Sequence, residues 1–81
     1  MAEGTILFVK ETDNGRFGFL IDAALAGNGS RENDVYWDTR SLVDRSRSVE
    51  LVSGQKVRFI YAENNVHDER LRVKFKTMEP I

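Results

Sequence analysis

Gly15-Arg-Phe-Gly-Phe-Leu20 is followed by Asp34-Val-Tyr-Trp-Asp38, and the order of these two stretches decides the reading of the chain. In a β-strand, side chains two apart share a face, so Phe17 and Phe19 point the same way. The glycine between them leaves room on the opposite face for a ring or a neighbouring backbone to come close. A strand face with two alternate aromatics is suited to stacking flat rings such as nucleic-acid bases.

Outward from this centre, the pattern remains that of short strands. Residues 6–10 are apolar and β-prone, and Thr12-Asp13-Asn14-Gly15 supplies turn chemistry before residues 16–21 run back, which predicts a hairpin. Residues 22–33 contain Gly27, Asn28, Gly29 and Ser30 and read as a loop, with room for one helical turn before Gly27. Residues 34–38 form a short strand. The polar stretch 39–48 reads as one helical turn around Leu42 and then a mobile loop, and Ser53-Gly54 closes the following segment. In residues 55–61, Val57, Phe59 and Tyr61 alternate with Lys56, Arg58 and Ile60. Residues 71–75 repeat the pattern with Leu71, Val73 and Phe75 on the inward face. Glu63-Asn64-Asn65 marks the turn between these two strands, and residues 78–81 read as a tail.

The chain has 81 residues and no cysteine, so it has room for one small domain without a disulfide or thiolate zinc staple. A single domain over 1–81 follows, with its core at about 3–77. Five short strands and no long helix make it all-β and favour closure into a barrel, because an open sheet leaves edges to protect. The absence of cysteine fits a reducing, cytoplasmic location, and no apolar run is long enough for a membrane span or a signal-peptide core.

Twelve Lys and Arg against thirteen Asp and Glu leave a net charge of −1, so the molecule's overall field does not announce a polyanion partner. Distribution carries that argument instead. The basic residues gather at Arg40, Arg45 and Arg47 and at Arg70, Arg72, Lys74 and Lys76, a pattern that fits phosphate contact and a solvated face equally.

Gly4-Thr-Ile-Leu-Phe8, Arg16-Phe-Gly-Phe-Leu20, Asp34-Val-Tyr36, Leu42, Leu51 and Gly54-Gln-Lys-Val57-Arg-Phe59 together resemble, in order and over nearly the whole chain, the cold-shock domain family. The resemblance implies a small five-stranded antiparallel Greek-key barrel of OB type that binds single-stranded RNA or DNA and acts as an RNA chaperone or regulator. It assigns Phe17 and Phe19 on the second strand and Tyr36 on the third to base stacking. Phe8 falls where the family carries a first-strand tryptophan. Arg16 would supply a flanking cation, with Lys56 and Arg58 adding to the electrostatics. The RNA-recognition module, with its four-stranded sheet and two helices, is disfavoured because its two motifs come in the opposite order and its helices have no place in this chain.

Three departures from the family pattern stand out. Asp38 occupies a position where the family shows a histidine, setting a carboxylate beside the expected phosphate path. One exposed charge there costs about 1 kcal/mol at low salt. Trp37 replaces a small aliphatic: alternation points it inward with Val35, where its indole N–H needs a partner, whereas a twisted or bulged strand would expose it. The turn at 11–15 and the loop at 22–33 look longer than the family's connections, and Asp13, Asp22, Glu32 and Asp34 make that region acidic. These features support an alternative: a cold-shock-like barrel turned to contact with a protein partner or a second copy. A role as a structural module in a larger assembly also fits.

Residue chemistry points to a binder and not an enzyme. His67 is the sole histidine, beside Asp68 and Glu69, with no second histidine or cysteine to complete a metal site. The serines lack a nucleophile motif and no glycine pattern reads as a phosphate loop. Carboxylate pairs such as Glu32 with Asp34 fit turn chemistry better than acid–base work. No cofactor and no small-molecule substrate are implied.

Overall fold

The computed structural model describes residues 1–25, 33–63 and 70–81. His67, the Glu63-Asn64-Asn65 turn beyond its first residue and the glycine-rich part of the 22–33 loop lie outside the described residues. Among the described residues, five strands form one antiparallel sheet: β1 (Ala2–Thr12), β2 (Gly15–Asp22), β3 (Asp34–Asp38), β4 (Lys56–Phe59) and β5 (Glu79–Pro80), in the order β3-β2-β1-β4-β5. No helix among the described residues is long and apolar enough to cross a membrane.

The β1–β2 hairpin forms as the turn chemistry demands, but its turn is tight and not extended. Thr12 pairs with Gly15, so Asp13 and Asn14 alone make the reversal. Thr12 Oγ1 donates to the Gly15 carbonyl at 3.0 Å, and Gly15 adopts φ +135°, which favours glycine. β2 and β3 then pair from Phe17 opposite Asp38 to Ile21 opposite Asp34.

β1 carries a bulge. Ile6 pairs with Leu20 and Phe8 with Phe19, leaving Leu7 as the extra residue. Gly4 and Ile6 before it face the core, and the inserted residue shifts the alternation so that Val9 turns inward while Phe8 turns out. Gly18, opposite Val9, admits this geometry. A side chain on it would run into the Phe8 carbonyl and come within 3.1 Å of the Trp37 ring.

The core consists of Ile6, Leu20, Val35, Trp37, Leu42, Leu51, Val57, Phe59, Val73 and Met78. Trp37 is wholly buried beside Val35, the inward orientation that alternation predicts, and its indole N–H has no hydrogen-bond partner among the described residues. A 3₁₀ turn at Ala23–Leu25 supplies the helical turn expected before Gly27. The polar stretch after β3 is more ordered than a mobile loop. It forms 3₁₀ turns at Thr39–Ser41 and Arg45–Glu50, capped by Asp38 and Asp44.

The C-terminal third departs most from expectation. Residues 71–75 make bridges through Arg72 and Val73 and no continuous strand, and Phe75, expected inward, is 48% exposed. The segment 78–81, read as a tail, instead supplies β5 and part of the core. Met78 is fully buried, Met78 N donates to the Ser41 carbonyl at 2.8 Å, and Ile81 N donates to the Lys56 carbonyl at 2.9 Å. Pro80 is admissible because β5 is an edge strand, where no amide need be given to a neighbour.

Residues 71–74 hydrogen-bond to both flanks of the sheet. Tyr36 N donates to the Leu71 carbonyl and Val73 N to the Tyr36 carbonyl, both at 2.9 Å. On the other side Ala62 N donates to the Arg72 carbonyl at 2.8 Å and Lys74 N to the Ile60 carbonyl at 2.7 Å. Nearby, the Tyr61 hydroxyl donates to Asp22 at 2.6 Å, tying the chain beyond β4 to the end of β2. Burial, reinforced by that carboxylate, pushes the Tyr61 hydroxyl well above its ordinary pKa.

Candidate nucleic-acid interface

The register of three adjacent strands builds one aromatic row. Phe8 on β1 pairs with Phe19 on β2, and Phe19 pairs with Tyr36 on β3. The Phe8 and Phe19 rings are stacked with centroids 6.4 Å apart and planes 22° from parallel. Phe19 meets Tyr36 edge-on at 5.9 Å, and Phe17 lies 6.1 Å from Tyr36 at 32°. Phe8 is 46% exposed, while Phe17, Phe19 and Tyr36 are half-buried by one another and their surroundings. Four of the residues singled out in the sequence therefore meet on one outward face.

The β1 bulge is what brings Phe8 into that row, since uninterrupted alternation from Gly4 and Ile6 would direct it inward. The Arg72 guanidinium adds a charge at the far end, 5.7 Å above the Tyr36 ring. In the sequence Arg72 is visible only as part of a basic run, because its position over Tyr36 depends on the bridge between residues 36 and 72.

Arg16 is less available than a flanking cation would be. Its side chain is 18% exposed, donates to the Ser48 carbonyl and lies 3.7 Å from Glu11, while its backbone N–H donates to Thr39 Oγ1 at 2.9 Å. It ties β2 to the two 3₁₀ turns. Lys56 and Arg58 sit apart from the row. They lie on β4 opposite Thr5 and Glu3, where β4 pairs only with the first part of β1, and Arg58 lies 3.9 Å from Glu3.

Asp38 is not an exposed charge beside the aromatic face. Its backbone N–H donates to Ser41 Oγ at 3.1 Å, and its carboxylate accepts the Arg40 backbone N–H at 2.9 Å. The Arg40 side chain forks onto the same carboxylate at 3.2 and 2.7 Å. Burial alone would push the carboxyl up, but the Arg40 hydrogen bonds and guanidinium charge outweigh it and hold the carboxyl below its ordinary range. The Tyr36 hydroxyl moves the other way, raised first by burial and then by Asp38. A cleft of about 390 Å³ opens beside this pair between Asn14 and Arg16 on one side and Thr39 and Arg40 on the other. It is lined by hydrogen-bonding side chains, among them Thr12, Asn14, Thr39 and Arg40.

Among the described residues, no group of three or more His, Cys, Asp or Glu side chains is arranged to hold a metal ion. Compared with protein-family models, curated proteins and solved structures, the chain matches none.

Proposed function

We propose that this protein binds single-stranded RNA or DNA by stacking bases on the outward row of Phe8, Phe19, Phe17 and Tyr36, and that it acts as a non-enzymatic binder of cold-shock type. The observation that carries the proposal is the convergence of four rings from β1, β2 and β3 on one sheet face, with centroid spacings of 5.9 to 6.4 Å. Aromatic stacking tolerates any base, because every base has a π-face. The proposed architecture is an OB-type Greek-key barrel. Its support is the 71–74 segment, which hydrogen-bonds to β3 on one side and to residues 60–62 on the other. Held strands would be kept unpaired and released without hydrolysis, as an RNA chaperone requires.

Titrating a fluorescently labelled oligo(dT) or oligo(U) with wild type and with Phe17→Ala/Phe19→Ala, followed by anisotropy at low salt, tests this reading. Stacking contributes about 1–3 kcal/mol per base, so the double variant should bind at least roughly tenfold more weakly while keeping its circular dichroism spectrum. Unchanged affinity in a folded double variant would overturn the assignment.

A further inference from the structure

Residues 74–76 place an aromatic ring between two lysines, all three exposed. Lys76 adopts φ +62°, a left-handed conformation that is unusual for a residue with a side chain and has to be held by its surroundings. The holding contacts are well defined. Lys76 N donates to the Arg40 carbonyl at 3.0 Å, Thr77 N to the Ser41 carbonyl at 3.0 Å, and Thr77 Oγ1 to the Lys74 carbonyl at 2.7 Å. The turn is thereby latched to the 3₁₀ turn after β3, and Phe75 is set under Arg40, whose guanidinium carbon lies 4.6 Å from the ring centroid. Arg40 is in turn oriented by its fork onto Asp38.

β3, the strand that carries Tyr36, is therefore joined to this turn through its last residue: Asp38 is forked by Arg40, and Arg40 lies over Phe75. An exposed ring under a guanidinium, flanked by two ammonium groups, combines a stacking surface with charge complementary to phosphate. We propose that Phe75, Arg40, Lys74 and Lys76 form an additional nucleotide site, which takes an unpaired nucleotide of a strand that leaves the aromatic row past the edge of β3. The base stacks at Phe75 and the phosphates on either side meet Lys74 and Lys76. Asp38, in this arrangement, positions Arg40 over the ring. The site rests on the nucleic-acid reading of the aromatic row and extends its footprint.

The test is a length series on the full chain, using labelled oligo(dT) of about four and about eight nucleotides, within the range that single OB folds cover. Phe75→Ala should weaken binding of the longer strand roughly tenfold and leave the shorter one unchanged, whereas Phe17→Ala should weaken both. Phe75→Leu should behave like Phe75→Ala, because it keeps apolar bulk but removes the flat ring. Lys74→Gln with Lys76→Gln should reduce the slope of log affinity against log salt by roughly 1 for the longer strand only. Unchanged binding of the longer strand by Phe75→Ala, or equal loss on both lengths, would overturn the site while leaving the aromatic row intact. Wild type that binds neither length would overturn the row and the extension together.

Discussion

Asp38 illustrates how a single residue changes meaning with its partners. As an isolated carboxylate it would repel phosphate; forked by Arg40 and capping Thr39–Ser41, it is a neutralised structural pair. Asp38→Ala should therefore lower stability by about 1–2 kcal/mol in urea titration and bring no gain in oligonucleotide affinity. Tighter binding with an unchanged midpoint would show that the charge acts on the ligand instead. Because the folded-state pKa of Asp38 lies below its unfolded value, its contribution is present above about pH 4 and is lost as pH falls through the depressed value. The acid limb of a stability–pH curve should accordingly flatten in Asp38→Ala. Tyr61 offers a companion test: Tyr61→Phe takes one hydrogen bond from the Asp22 carboxylate, which is only 9% exposed and keeps the Ala24 backbone N–H at 2.9 Å, and should cost about 1–2 kcal/mol. Trp37, wholly buried, will report unfolding well and ligand poorly, which is why a labelled strand is the better probe of binding.

At the level of elements, β1 and β2 work as a pair through one irregularity. The bulge at Leu7 turns Phe8 outward, and Gly18 lets the Phe8 carbonyl and the Trp37 ring close over the place where a side chain would stand. Gly18→Ala must displace backbone, not merely a side chain, and should destabilise the protein by about 3 kcal/mol, read as a shift of the thermal midpoint. A near-neutral Gly18→Ala would mean that the two strands are farther apart than their register requires. The hairpin turn and β2 were legible from Thr12-Asp13-Asn14-Gly15 and the alternating phenylalanines, since turn chemistry and period-two alternation are local. The bulge was not, because an extra residue leaves no local mark in an apolar run such as Ile6-Leu-Phe-Val9.

Across the whole molecule, a net charge of −1 means that the proposed strand binding would rely on local groups and not on a broad positive field. On the proposed reading, affinity should fall with salt at a slope of about −0.7 per phosphate neutralised, read from oligonucleotide titrations at several salt concentrations. The C-terminus matters to the entire fold, because β5 covers the edge of β4 and Met78 fills the core. Removing residues 79–81 should lower the thermal midpoint measurably, whereas a dispensable tail would leave it unchanged. The sequence by itself determined the all-β character, the hairpin and the alternation that pairs Phe17 with Phe19, all of which follow from neighbours one to four residues apart, whereas for Trp37 it left an inward and an outward orientation open and the packing of the core chose the first. Tertiary structure decided the rest: the outward turn of Phe8, the placing of Arg72 over Tyr36 and of Arg40 over Phe75, the exposure of Phe75 and the recruitment of residues 78–81. Each of these depends on which segments, distant in the chain, compete for the same core volume and backbone hydrogen bonds. Met78 reaches the core and Phe75 does not because the Arg40 and Ser41 carbonyls receive the chain at Lys76, Thr77 and Met78, a partnership between residues too far apart in sequence for any local pattern to announce.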